Sequence, residues 1–259
     1  MEIYIYGVKM KNILKIIIVI GGFALLIFRP PLFTVEYFSA TDLKIPQKYN
    51  DINSTFLGID VSHDQGQIDW GKVKSSNIDF VYHKVTDGIT YTDNMFHVNA
   101  KALEKEKIPF GAYHFFEPED DPYLQAQNYI RSIKNIKLSL IPMVDVEIIR
   151  SVTAQKIKTN LLIFLNEIEK ETGCKPMIYS YGDFWKSYIT AEFNDYIFWL
   201  ADYSKTINKP TGLKNLQLWQ YSQEGKVSGI RNYVDLDVIL DGKLGFNKIQ
   251  CSYKKGLNK

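Results

Sequence analysis

The sequence predicts an α/β fold, an irregular TIM-like (β/α) barrel of eight strands and about five helices behind an N-terminal membrane anchor or signal segment. Three observations predict it. Eight short apolar runs recur from residue 56 onward, helical patterns separate the early runs, and acidic residues gather at the downstream ends of the runs. A chain of 259 residues suits one large domain or two small ones, and barrels often run longer as single units. No Gly-rich phosphate loop follows the first run, which disfavours a doubly wound open sheet.

Residues 1–12 read as a basic n-region that stays in the cytoplasm, and 13–28 (ILKIIIVIGGFALLIF) as a transmembrane anchor or signal h-region. The apolar stretch is short against the roughly 17–25 residues that span a bilayer. Lys9, Lys11 and Lys15 stand before or at its start, and Arg29, Pro30 and Pro31 close it. That lysine excess directs everything after Phe28 out of the cell. No small-x-small pair or lipobox cysteine follows, so an uncleaved anchor is expected, and Met10-Lys11-Asn12 offers an internal start. Residues 29–54 are polar and read as a linker.

The barrel is expected over 55–246. Its strand runs are 56–61, 80–85, 110–115, 140–146, 177–179, 197–201, 216–221 and 234–239, each rich in β-branched or aromatic residues. Helical patterns fall at 68–75, 94–107, 122–133, 153–172 and 182–188. Pro122 opens the third and Gly173 stops the fourth. Residues 202–215 and 222–233 read as loops, and 247–259 as a basic tail.

Lys and Arg total 31 against 29 Asp and Glu, and beyond Thr55 the two balance at 25 each. A neutral folded part offers no field for phosphates, so nucleic acid is excluded as a partner and a monomer is expected. His63, His83, His97 and His114 stand singly, so neither a metal nor a cofactor is expected. Cys174 and Cys251 lack metal spacing and read as buried or idle thiols, with one bridge as the alternative.

Run one ends in Asp60, run four in Asp145-Val146-Glu147, and the last carries Asp235-Leu236-Asp237. Alternation along a strand sends Asp145 and Glu147 to one side. Such carboxyls, gathered on the C-terminal face of a barrel, repel one another and keep at least one proton near neutral pH. A lone strand-end Asp also serves as a helix cap, but capping does not account for both acids of PMVDVEI. Tyr113, Tyr179, Trp199, Trp219 and Gln220 follow or end neighbouring runs, and acids with aromatics on one face suit a carbohydrate groove.

Six motifs carry a resemblance: GIDVSHDQGQIDW, GAYHFFEP, PMVDVE, PMIYSYGDFW, FWLADY and LQLWQYSQEGKVSGIRNYVDLDV. In this order they resemble the family 25 glycoside hydrolases, the Chalaropsis-type lysozymes, over nearly all of the exported part. The resemblance implies hydrolysis of the β-1,4 bond from N-acetylmuramic acid to N-acetylglucosamine in peptidoglycan. It implies Glu147 as general acid, Asp145, Asp60 and Asp235 as accompanying carboxylates, and Tyr113, Tyr179, Trp199 and Gln220 as groove-lining residues. The alternatives are a barrel that grips cell wall without cutting it, or a hydrolase of another N-acetylhexosamine polymer such as chitin. Three departures stand out: Asp87 in Lys84-Val85-Thr86-Asp87-Gly88 where the family has Glu, His83 where an apolar residue is common, and Asp237 where Asn is frequent. The last is expected to add a charge near the acids.

Overall fold

A computed structural model describes residues 37–38, 40–49, 55–254 and 257, with the backbone of Tyr4–Ile5 and Val8–Lys9. The anchor or signal segment expected at 13–28 lies outside the described residues. No helix among the described residues is long and apolar enough to cross a membrane. The chain divides into Met1–Thr34, where Tyr4–Ile5 pairs antiparallel with Val8–Lys9, and Val35–Lys259.

The second unit is the expected barrel. Its strands are β1 (Leu57–Val61), β2 (Phe80–Asp87), β3 (Phe110–Phe115), β4 (Met143–Asp145), β5 (Met177–Tyr181), β6 (Phe198–Ala201), β7 (Leu216–Gly225) and β8 (Val234–Ile239). Each of β1 to β6 pairs in parallel with the next, and β8 closes the ring by pairing antiparallel with both β7 and β1. A short strand, Tyr91–Thr92, adds antiparallel to the end of β2. Most strand residues are buried on both faces, the environment that selects short, nearly continuous apolar runs.

Six helices accompany the strands, one more than expected: α1 (Trp70–Lys74), α2 (Phe96–Glu106), α3 (Pro122–Ser132), α4 (Ala154–Thr172), α5 (Gly182–Phe184, running on into a π turn at Trp185–Ile189) and α6 (Gly242–Ile249). Asp121 caps α3 ahead of Pro122, Thr153 caps α4, and Gly173 ends α4 in the left-handed conformation. The helix missed in the sequence, α6, sends Phe246 and Ile249 under the barrel, where Phe246 stacks on Phe56 at 4.8 Å. Above them the barrel is filled by Phe80, Tyr82, Met143, Met177, Trp199 and Leu218. A separate apolar layer lies between the sheet and the helices.

Two other expectations change. Part of the supposed linker, residues 40–49, packs on the barrel: Asp42 bridges Lys226, the Tyr221 hydroxyl donates to Leu43 O at 2.8 Å, and Tyr49 meets Trp219 edge-on. No helix lies between β6 and β8, so this segment covers the outer face of β7 in a helix's place. The cysteines are not idle thiols but form a Cys174–Cys251 disulfide with a Cα–Cα distance of 6.0 Å. The tail brings them together, with Cys251 N donating to Ser139 O and Lys254 N to Thr172 O.

Candidate active site

The parallel strands point their C-terminal ends to one rim. There a cavity of about 390 Å³ is lined by Asp60, Asp145, Glu147 and Asp235, together with Tyr113, Tyr179 and Gln220. Seven of the eight residues picked from the sequence therefore meet. The eighth, Trp199, does not line the cavity. It points into the barrel below, fully buried against Tyr82 at 5.2 Å and Tyr179 at 5.5 Å. The large ring fills the barrel's centre and supports the groove from beneath.

Asp235 reaches this rim by an unexpected route. It stands near the start of its strand, not at a downstream end, but β8 runs against its neighbours, and the register sets Asp235 opposite Asp60. Asp145 ends β4, and Glu147 lies just beyond the strand in the wall of the same cavity. Gln220 orients the centre. Its Nε2 donates to Asp60 Oδ2 at 2.8 Å, while its Oε1 accepts from the Tyr179 hydroxyl at 2.9 Å and the Tyr203 hydroxyl at 2.6 Å.

Burial is the first cause that raises each carboxyl in this cup above its ordinary range. Asp60 is raised further by Asp235, and Asp145 by Glu147 and then Asp60. Burial raises Glu147, although the Asp145 carboxyl beside it opposes the rise. Asp235 is pushed up to about 6 by burial and then by Glu147. Lys84 is the nearby cation, and it pulls Asp145 down while its ammonium bonds Asp87 Oδ2 at 2.7 Å. Groups held in this way exchange protons near neutral pH as a coupled set. One Asp145 oxygen, Oδ1, is buried and has no hydrogen-bond partner among the described residues.

Asp237 does not add the expected charge. It is fully buried beneath the cup, paired in register with Gly58 and Gln220. Its carboxyl is raised well above the usual range by burial and then by Asp60 and Asp235, and neither of its oxygens has a hydrogen-bond partner among the described residues. A carboxyl buried without a donor to compensate it favours its neutral form, so Asp237 is placed to hold a proton rather than a charge.

The sequence reading missed Lys84 and Tyr203 as cavity residues, although both lie in stretches it singled out. His83 is buried and neutral: its Nε2 meets the Asn99 amide at 2.8 Å, and burial lowers it to about 4. No group of three or more His, Cys, Asp and Glu among the described residues is arranged to hold a metal ion.

Comparison with known proteins bears on this geometry. The family model described as glycosyl hydrolases family 25 matches residues 59–230. An uncharacterized protein, YegX, of Escherichia coli strain K12 is 30% identical over 201 residues, 76% of this chain and 72% of its own. The autolytic lysozyme of Clostridium acetobutylicum is 29% identical over 187 residues, covering 72% of this chain and 56% of that one. The solved structure of a family 25 glycosyl hydrolase from Bacillus anthracis superposes with a TM-score of 0.71 at 26% identity, over 77% of this chain and 95% of that one.

Proposed function

This chain belongs to glycosyl hydrolases family 25, and we propose that it cuts the β-1,4 bond from N-acetylmuramic acid to N-acetylglucosamine with Glu147 as the general acid. It is a lysozyme-type hydrolase of peptidoglycan. The carrying observation for the residue roles is the single cavity in which Asp60, Asp145, Glu147 and Asp235 meet, with burial and mutual repulsion holding protons on carboxyls.

Glu147 is the least buried of the Asp145–Glu147 pair and can reach a glycosidic oxygen in the cavity. It gives its proton to that oxygen as the bond to the anomeric carbon breaks. The acetamide carbonyl oxygen of the same sugar closes on that carbon, and Asp145 Oδ1, which lacks a protein donor, accepts the acetamide N–H. Water then adds at the anomeric carbon and yields its proton to Glu147, so the β configuration is retained. Asp235, once ionised, stabilises the positive charge that develops at the ring, and Asp60 holds the Gln220 amide beside it. The test is proton NMR of the first product with a thiazoline inhibitor alongside. A first-formed α-anomer excludes retention, and a glycosyl ester trapped on an aspartate excludes acetamide attack.

The barrel works outside the cytoplasmic membrane as a monomer, held there by 13–28. The basic flank of that segment supports export, as does a disulfide, which persists in oxidising compartments. Protease added to intact spheroplasts should degrade the barrel, and a protected barrel overturns this placement.

A further inference from the structure

Beside the acid cavity lies a larger groove of about 1070 Å³. The two share Tyr203 and Gln223 in their walls, so a chain seated over the acids runs on into the groove. One wall is the pre-barrel segment through Lys44, Pro46 and Lys48, which lies outside the family match at 59–230. The other is the loop at Ser204–Ile207.

Both walls are built in advance. Lys226 and Asp42 exchange backbone hydrogen bonds, and Ser228 N donates to Thr41 Oγ1 at 3.0 Å. The loop is tied through Asp202, which accepts from the Ser204 backbone N at 3.1 Å and from its hydroxyl at 2.6 Å, while Trp219 Nε1 donates to Asp202 O. The floor is aromatic, formed by Trp219, Tyr221 and Tyr49.

The charge changes sign between the two spaces. Five acids and one lysine line the cavity, whereas Lys44, Lys48 and Lys205 line the groove against Glu224 alone. Glu224 pairs with Lys44 at 3.4 Å. A ligand that fits both has a neutral, hydroxyl-rich part for the acids and a branch bearing carboxylates for the lysines.

We infer that the groove binds the carboxylate-bearing peptide stem that branches from the glycan strand, with Lys48 and Lys205 as its contacts. The inference rests on the muramidase reading and adds a specificity determinant that the barrel motifs do not contain. An enzyme built this way prefers strands that still carry their stems.

The full chain and a Lys48→Gln/Lys205→Gln variant are assayed for reducing ends on two substrates. These are uncrosslinked glycan strands with stems, and the same strands stripped of stems by an amidase. The wild type should favour stem-bearing strands in kcat/KM. The variant should lose about fivefold to tenfold of that preference, the scale of two partly exposed charge contacts. About 0.5 M salt should reproduce the loss in the wild type. Equal preference in wild type and variant overturns the inference while leaving the muramidase reading intact. Inhibition of the wild type by poly(glycerol phosphate) through these lysines, without any stem preference, overturns it in favour of a phosphate polymer. A folded wild type that cuts neither substrate removes both readings.

Discussion

At the scale of single residues, the acids of the cup are free for chemistry because other side chains do the capping. Ser62 caps the turn after β1 and Thr153 caps α4, so neither Asp60 nor Asp145 is spent on a helix end. Glu147→Gln keeps the shape and removes the transferable proton. Its kcat should fall about 10²–10⁴-fold with sugar binding retained, measured by steady-state release of reducing ends and by calorimetry. The pH profile should carry an alkaline limb. Glu147 must hold its proton, so the rate falls as pH rises through its raised range, whereas ionisation of Asp235 at about 6 supplies the anion that the charged ring needs and sets the acid limb. Asp237 gives a sharper test. Its folded-state carboxyl is raised, so above pH ~4 the native state binds a proton that the unfolded chain has released, and stability declines as pH rises. Asp237→Asn removes that decline and keeps the side chain's shape. Denaturant titrations should show the variant gaining up to ~1.4 kcal/mol on wild type per pH unit above that point. Equal pH slopes would mean that Asp237 is ionised in the fold.

At the scale of elements, the barrel interior depends on two glycines whose need is steric. A Cβ on Gly58 would lie 2.2 Å from the Phe80 ring, and one on Gly111 would lie 2.3 Å from the Tyr82 ring. The missing side chains admit the aromatic rings that fill the barrel below the cup. Gly111→Ala should therefore cost about 1–3 kcal/mol by overpacking, read as a lower urea midpoint at unchanged slope. The same element pattern sets the site. β8 is the one barrel strand that runs antiparallel to both neighbours, and that reversal brings an acid near the strand's start level with Asp60.

At the scale of the whole molecule, the C-terminal stretch works as a strap. It carries α6 beneath the barrel and bonds to the end of α4 through Cys174–Cys251, a bridge across 77 positions of sequence. Closing a loop of that size restricts the unfolded chain, by ~4 kcal/mol in the chain-entropy estimate. Cys174→Ser/Cys251→Ser should lower stability by about 2–5 kcal/mol, with the loss visible in denaturant melts and reproduced by reductant on the wild type.

The sequence by itself determined the barrel, its strands and five of the six helices among the described residues, and it picked out seven residues that the fold brings to one cavity. These follow from local signals: burial on both faces selects short apolar runs, and caps, prolines and glycines mark the helix ends. Only the tertiary structure decided the rest. Trp199 leaves the groove because its ring packs against Tyr82 and Tyr179 in the barrel, and a local pattern cannot tell such a ring from one that lines the rim. The cover of β7 by residues 40–49, the closing of the disulfide and the neutral state of Asp237 each depend on groups that are distant in sequence. Packing energy and the local dielectric belong to the assembled contacts, and no stretch of the chain encodes them alone.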